Sequence, residues 1–259
     1  MRIGAYMLSC PERAAMRRRT LANLQLTDWA DTAWVELDPG TAERKQDRQT
    51  QTALRLLERA AGDGHDFMLF LEDDLEFNRY LRHNLERWQP LRDAARAGHF
   101  FASLYNPNVR SLMRGPDQAF FVADPNSVYG SQAFLLSWAT ARHIVTHWDD
   151  VIGMQDIKMS RLAAGLGPIY YHVPSLVQHI GTVSAWGGVF HSAPDFDAEW
   201  KAGARTEAAV DAPANSALTF TPLTWAQHTG RELRPGTGQS ALPPGFRPLR
   251  WRWPAGNAS

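Results

Sequence analysis

The chain has 259 residues, 44% of them hydrophobic, which is enough to bury one sizeable core. Its 27 Lys and Arg residues balance its 27 Asp and Glu residues, and this neutrality argues against a non-specific nucleic-acid binder, which normally carries a basic excess. The single cysteine, Cys10, excludes an internal disulfide and a cysteine-built zinc site. No run reaches the roughly 18 apolar residues of a membrane span, so we expect a cytoplasmic protein without stable membrane insertion.

Strands and helices alternate along most of the chain. In chain order, the patterns predict strand 3–8, helix 12–24, strand 33–37, helix 42–61, strand 67–71, helix 79–97, strands 100–104, 118–123 and 132–137, and helices 138–148 and 157–164. Such alternation predicts an α/β fold with a mostly parallel central sheet, which we assign to residues 1–193. From Pro194 the composition shifts to Ala, Pro, Gly and Thr, and we expect 194–259 to be an extension that is partly ordered or packed on the core.

An acidic triplet follows the apolar run 67–71. Glu72, Asp73 and Asp74 therefore stand at a strand end, where ligands collect in sheets of this kind. Adjacent carboxylates repel one another, and a divalent cation is the simplest means of neutralising them. Oxygen ligands without cysteine favour Mn²⁺ or Mg²⁺, whose coordination shell a diphosphate can complete. A solvated acidic turn is the alternative interpretation.

Two more residues are candidates for chemistry. His179 lies in the segment PSLVQHIG, and a neutral imidazole is a good ligand for Mn²⁺, although a hydrogen-bonded core histidine fits the same pattern. Asp156 stands at the start of the predicted helix 157–164, where a carboxylate is commonly only a cap. As a catalytic residue, Asp156 would accept the proton of an attacking hydroxyl group.

Four segments occur in a fixed order: LEDDLEF, GSQAFLLS, GMQD and PSLVQHIGTVS. Together they resemble the GT-A glycosyltransferases, in particular the N-acetylglucosaminyltransferase IV-like group and the bacterial lipopolysaccharide-type transferases. The resemblance implies a Rossmann-like GT-A fold, a nucleotide-sugar donor with UDP favoured, and Mn²⁺ or Mg²⁺ as cofactor. It leaves the acceptor open, so that a glycan, natural product, protein or modified nucleobase would fit equally.

The resemblance also implies roles for single residues. In the acidic DXD motif of that family the first residue binds ribose and the last binds metal, which assigns Glu72 to the ribose and Asp74 to the metal, with Asp73 in support. The glutamate departs from the usual first aspartate. His179 is the implied second metal ligand, and Asp156 is the implied base of an inverting reaction. The residues implied to hold the nucleotide are Ser9, Cys10, Glu12, Arg13 and Asp38. Those implied to line the junction of donor and acceptor pockets are Gly130, Ser131 and Gln132.

Two other functions stay open at this point. A metal-dependent nucleotidyltransferase or phosphotransferase also places carboxylates at strand ends, but the first loop, Ser9-Cys10-Pro11-Glu12, contains no phosphate-cradling glycine. A carbohydrate-binding protein that has the same fold without catalysis is the third hypothesis.

Overall fold

The structure is a computed structural model that describes residues 1–40, 44–107, 119–124, 128, 130–181 and 191–203. The strands are β1 Ile3–Ser9, β2 Trp34–Leu37, β3 Phe67–Leu71, β4 Leu75–Phe77, β5 Phe101–Ser103, β6 Phe120–Ala123, β7 Ala133–Ser137, β8 Ile169–His172 and β9 Val177–His179. The helices are α1 Ala14–Gln25, α2 Lys45–Gly62, α3 Leu81–Arg87, α4 Gln89–Ala97, α5 Trp138–Thr146 and α6 Gln155–Ala164. Most of the predicted extension, from residue 204 onward, lies outside the described residues.

The described strands form a seven-stranded sheet in the order β2-β1-β3-β7-β5-β8-β6 and a separate two-stranded ladder of β4 and β9. In the large sheet, β1 pairs in parallel with β2 and β3, and β5 pairs in parallel with β8. The other pairings are antiparallel, and β7 runs against both of its neighbours, β3 and β5. The predicted α/β, Rossmann-like architecture is confirmed, with a sheet that is parallel over β2-β1-β3 and mixed beyond.

Alternating side chains of β1 show how the sheet is buried between two layers. Met7 belongs to the core cluster on one face, together with Leu24 of α1 and Leu85 of α3. Tyr6 belongs to the cluster on the other face, together with Leu56 of α2. Strand β3 is buried along its whole length, as its unbroken apolar sequence predicts for a strand covered on both faces.

One edge of the sheet collects the ends of four neighbouring strands. Strands β1, β2 and β3 are parallel and finish at this edge. Strand β7 is antiparallel to β3 and begins there, since Ala133 is opposite Leu71. Just beyond β3, the two-stranded ladder places His179 of β9 opposite Leu75 of β4.

The structure differs from the predicted elements in one divided helix and in three additional strands. The predicted helix 79–97 is two helices, because Trp88 is extended between α3 and α4 and Pro90 lies in the first turn of α4. A proline has no N–H to continue the preceding helix, but it is tolerated in the first turn of a new one. Strands β4, β8 and β9 were not predicted, and β8 pairs with β6 at the edge of the large sheet.

Residues 191–203 pack against the domain. The side-chain amide of Asn78 donates to the carbonyl oxygens of Asp197 and Trp200, and Asn84 binds the backbone of Trp200 and Ala202. The two asparagines are buried. None of the helices in the described residues is both long and apolar enough to cross a membrane.

Candidate functional site

A cavity of about 330 Å³ opens at the edge where the four strand ends meet. All the residues that were predicted for the site line it, namely Ser9, Cys10, Glu12, Arg13, Asp38, Glu72, Asp73, Asp74, Gly130, Ser131, Gln132, Asp156 and His179. The sheet order explains this convergence, because Asp38 follows β2, Ser9 ends β1, the triplet follows β3 and Gln132 precedes β7. Residues from distant parts of the chain therefore lie side by side along one line.

Both carboxylate oxygens of Asp73 accept a hydrogen bond from another side chain. Its Oδ1 accepts from Arg13 Nε at 2.6 Å, and its Oδ2 accepts from Ser9 Oγ at 2.5 Å. The backbone is fixed as well, since the Thr20 hydroxyl donates to the carbonyl oxygen of Asp73 and accepts from the N–H of Leu75. Burial raises the pKa of Asp73 despite the nearby Arg13 guanidinium. Asp73 thus differs from Asp74, since each of its carboxylate oxygens already accepts a hydrogen bond from a protein side chain.

One carboxylate oxygen of Asp74 has no hydrogen-bond partner among the described residues. Its Oδ2 accepts from Arg13 Nη2 at 2.5 Å and lies 3.1 Å from His179 Nε2, whereas its Oδ1 is buried and has no partner among the described residues. Burial acts to raise the pKa of Asp74, but the hydrogen bonds and charges of His179 and Arg13 outweigh it and lower that pKa. Asp74 is the one carboxylate of the three with such a buried, spare oxygen.

Contacts with His191 and Asp74 fix the imidazole ring of His179 in place. Its Nδ1 lies 3.2 Å from the carbonyl oxygen of His191, a contact in which Nδ1–H donates and Nε2 points to Asp74. The ring also stacks on His191, with centroids 4.7 Å apart. Burial opposes protonation of His179, but the Asp74 carboxylate prevails and raises its pKa.

Asp74 and His179 could supply part of the coordination shell of a hard divalent cation. In the described part of the chain no group of three or more His, Cys, Asp or Glu side chains is placed to hold a metal ion. Asp74 and His179 supply an oxygen and an imidazole nitrogen, and Mg²⁺ and Mn²⁺ commonly complete such shells with phosphate oxygens and water. Space beside the pair is kept by Gly181, where a Cβ atom would collide with Asp74 Oδ2 and lie 2.9 Å from His179 Nε2.

Glu72 belongs to a hydrogen-bond relay away from the Asp74–His179 pair. Its Oε1 accepts from Ser131 Oγ at 2.5 Å, and Ser131 Oγ accepts in turn from Gln155 Nε2 at 2.9 Å. Burial, together with the charge of Asp74, raises the pKa of Glu72 to about 7. The carboxylate is thus costly to ionise in the ligand-free site, and it faces the β7 side of the cavity.

Asp156 binds the turn that leads into β7. Its Oδ2 accepts from the N–H of Gly130 at 2.9 Å, and its Oδ1 accepts from the N–H of Ile157 at 2.9 Å. Gly130 has a positive φ of 80°, a conformation that glycine adopts at little cost. The carboxylate therefore orients this turn, and each of its oxygens keeps a lone pair for a ligand.

Asp38 and Glu12 are tied to an arginine that sequence reasoning missed. Arg48 of α2 donates through Nε to Asp38 Oδ2 at 2.5 Å, and its Nη2 lies 3.6 Å from Glu12 Oε1. Asp38 Oδ1 accepts from the N–H of Gly40. Half-buried Cys10 lies beside them, and burial together with Glu12 raises the pKa of its thiol.

Eight lining residues were not among the predicted site residues: Leu8, Lys45, Arg48, Gln49, Met154, Gln155, Gly181 and His191. A sequence signal for three of them exists, because Lys45, Arg48 and Gln49 are spaced as one face of a helix and extend the buried stripe that continues with Ala53 and Leu56. Contact with the cavity then follows from the position of α2, which the sequence alone does not fix.

Unpaired amide oxygens are concentrated in this cavity. Oε1 of Gln49, Gln132 and Gln155 has no hydrogen-bond partner among the described residues, although the three side chains are buried. Buried polar atoms in proteins are nearly always paired, so a group of exceptions along one cavity indicates a ligand that carries hydrogen-bond donors.

Comparison with known proteins adds no family. No protein-family model matches the chain, and none of the curated proteins matches it. One of the solved structures that it resembles is described as the crystal structure of A197 from STIV, with 12% sequence identity and a TM-score of 0.41. The match covers 69% of this chain and 85% of that one.

Proposed function

We propose that this protein is a metal-dependent glycosyltransferase that moves a sugar from a nucleotide-sugar donor, with UDP favoured, to a hydroxyl group of an acceptor. The observation that carries the proposal is the pairing of Asp74 and His179, with a buried, unpaired carboxylate oxygen, among the residues that line the cavity at the strand ends. The resemblance of the four sequence segments to GT-A glycosyltransferases supports the same reaction class.

The layout of polar groups supports an elongated ligand. Polar residues follow four adjacent strand ends, and three strand spacings of about 4.8 Å span about 14 Å. The two ends of this line differ in chemistry. Arg48 and Asp38 lie at the β2 end, and Ser131, Gln155 and Asp156 lie at the β7 end, with the triplet between them. We place the nucleoside at the β2 end, the diphosphate over Asp74 and the sugar at the β7 end.

In the proposed reaction, the residues of the site would have the following roles. A divalent cation, when bound, supplies positive charge that offsets the charge growing on the departing diphosphate. Asp74 and His179 would hold that cation, and Arg13 would keep the carboxylates of Asp73 and Asp74 in place. Asp156 would accept the proton of the attacking acceptor hydroxyl in an inverting displacement, since it lines the cavity beside the proposed sugar.

The test is a panel of UDP-, GDP- and TDP-sugars with Mn²⁺ or with EDTA, read out as thermal stabilisation and released nucleotide. We expect Mn²⁺-dependent stabilisation and slow release of nucleoside diphosphate for one donor class, both lost in Asp74→Asn. Asp150→Asn is the matched control, because Asp150 is an exposed aspartate paired with His147 and does not line the cavity. A wild type that responds to no donor contradicts the proposal.

The same panel separates the alternatives. A nucleotidyltransferase would cleave the bond between the two phosphates of the same donors and release nucleoside monophosphate and sugar 1-phosphate instead of nucleoside diphosphate. A non-catalytic binding protein would be stabilised by a donor without releasing any nucleotide.

The single thiol of Cys10 suits a reducing compartment, and we propose the cytoplasm as the site of action.

A further inference from the structure

Gln155, the first residue of α6, has an amide whose orientation is fixed by its neighbours. Its Nε2 lies 2.9 Å from Ser131 Oγ, and Ser131 Oγ lies 2.5 Å from Glu72 Oε1. When Glu72 is ionised it only accepts, so the serine donates its single hydrogen to Glu72 and can only accept from Gln155. The NH₂ group of Gln155 therefore faces Ser131, and its oxygen faces away from Ser131.

The oxygen of this amide has no donor. Gln155 is 3% exposed, and its Oε1 lacks a partner among the described residues although the residue lines the cavity. While Glu72 is ionised, the amide cannot rotate to relieve the unpaired oxygen without breaking the contact with Ser131. A ligand in the cavity that carries an O–H or N–H group is the partner that the site lacks.

We infer that Gln155 recognises a hydroxyl group of the transferred sugar, an inference that rests on the proposed function. Gln155 precedes Asp156, the proposed base, and contacts Ser131 at the β7 end of the polar line, where the sugar is placed. A carbonyl oxygen pairs with a hydroxyl group but not with a C–H group or an ether oxygen. The substrate class is therefore a sugar with a free hydroxyl facing Gln155, in preference to the matching deoxy or O-alkyl sugar.

The test compares UDP-glucose with its 2-, 3-, 4- and 6-deoxy analogues and with UDP alone, measuring Kd in the presence of Mn²⁺. In the wild type we expect one deoxy analogue to bind about tenfold more weakly than UDP-glucose, the usual effect of leaving a buried acceptor unpaired. In Gln155→Leu, UDP-glucose should weaken by a similar factor, the discrimination against that analogue should vanish, and the affinity for UDP should stay at the wild-type value.

Gln49→Leu is the matched control. It removes another buried glutamine with an unpaired oxygen in the same cavity, but one that directly follows Arg48 in α2. This variant should bind UDP and UDP-glucose more weakly by the same factor and keep the ranking of the deoxy analogues. If Gln155→Leu does not fold, Ser131→Ala replaces it, because loss of the serine frees the amide to rotate and should likewise reduce the discrimination without affecting UDP.

The outcomes separate this inference from the proposed function. Mn²⁺-dependent binding of UDP-glucose with the same analogue ranking in wild type and Gln155→Leu overturns the inference and leaves the glycosyltransferase proposal standing. Loss of UDP affinity in Gln155→Leu also overturns it, because it would place the residue at the nucleotide. A wild type that binds neither UDP nor UDP-glucose overturns the inference together with the UDP-sugar assignment.

Discussion

His179 Nε2 lies 3.1 Å from Asp74 Oδ2, although 105 positions separate the two residues in the chain. A backbone hydrogen bond from the N–H of Ile180 to the carbonyl oxygen of Asp74 fixes the approach. Gly181 completes it, since any larger residue would push a Cβ atom into both side chains.

Gly181→Ala should therefore weaken Mn²⁺ binding while leaving the fold intact. The added Cβ displaces the two ligands, and disturbing the surroundings of metal ligands typically costs about 10–100-fold in metal affinity. Mn²⁺ titration in the presence of UDP, followed by electron paramagnetic resonance, measures the effect. Gly167→Ala is the control, because a Cβ there meets no atom within 4 Å. Equal Mn²⁺ affinities of the two variants would contradict the assignment.

Arg13→Gln should destabilise the metal-free protein and make it more responsive to metal. Arg13 is the cation that bridges the buried carboxylates of Asp73 and Asp74, whose side chains are 6% and 8% exposed. Its removal leaves them uncompensated, and we expect the free energy of unfolding to fall by about 1–3 kcal/mol. Mn²⁺ should recover more stability in this variant than in the wild type, because it restores positive charge.

Chemical denaturation with EDTA or with Mn²⁺ measures both effects of the arginine. Arg82→Gln is the control, since Arg82 pairs with the exposed Asp31 and Glu86 and such pairs contribute less than about 1 kcal/mol. A metal response in Arg13→Gln no greater than in Arg82→Gln would argue that Arg13 does not share the site with the cation.

Asp156→Asn should slow the reaction without preventing donor binding. The asparagine oxygen can still accept one of the two backbone N–H groups that the carboxylate binds. Loss of a general base typically lowers kcat by about 10²–10⁴-fold. Hydrolysis of the donor identified in the panel, with water in place of the acceptor hydroxyl, gives kcat, and the Kd for UDP verifies that the Gly130 turn is preserved. An unchanged kcat would sink the assignment of Asp156 as base.

His172 should make the protein sensitive to mild acid. It is buried between the rings of Trp88 and Trp200, and Nδ1–H donates to the carbonyl oxygen of Pro174 at 2.6 Å. Burial lowers the pKa of His172 to about 4, against an ordinary value of 6.5. The neutral ring is thus favoured in the folded state, so its contribution is complete above pH 6.5 and is lost as the pH falls towards 4.

The loss predicted for this histidine amounts to at most about 3 kcal/mol. In His172→Phe, which keeps an aromatic ring but cannot be protonated, the free energy of unfolding should fall less steeply between pH 6.5 and pH 4. At pH 7 the variant should be less stable than the wild type by about 1 kcal/mol, because the hydrogen bond to Pro174 is gone. Urea titrations across this pH range measure the difference, and parallel curves for the two proteins would contradict the prediction.

Elements with a strong local signal were predictable from the sequence. Strand β3 has the predicted bounds, Phe67–Leu71, because five apolar residues end abruptly in three carboxylates. Strands β4 and β9 have three residues each and no period of their own, and they form only because the ladder pairs them. The long predicted helix failed at Pro90, where a proline inside a helical pattern has to be recognised as a new start.

The candidate site shows the same division between local and long-range information. Strand ends point to Asp38 and Asp74, because parallel strands deliver their carboxyl ends to one edge. Gln155 was missed because an isolated glutamine at a helix start carries no sequence signal for ligand contact, and Gln49 was missed because its helical spacing does not fix where α2 lies. The pairing of Arg13 with Asp73 and Asp74 was equally out of reach, since it joins the segment after β1 to the segment after β3, 60 and 61 positions further along the chain.

The β4–β9 ladder lies apart from the seven-stranded sheet, and this separation bears on exchange of bound ions. A local opening of the ladder would part Asp74 from His179 while every strand of the large sheet remained paired. Such sub-global openings require less free energy than complete unfolding. We therefore expect the amide proton of Ile180 to exchange with solvent faster than the amide protons of β3. Release of the bound ion should occur at the rate at which the ladder opens.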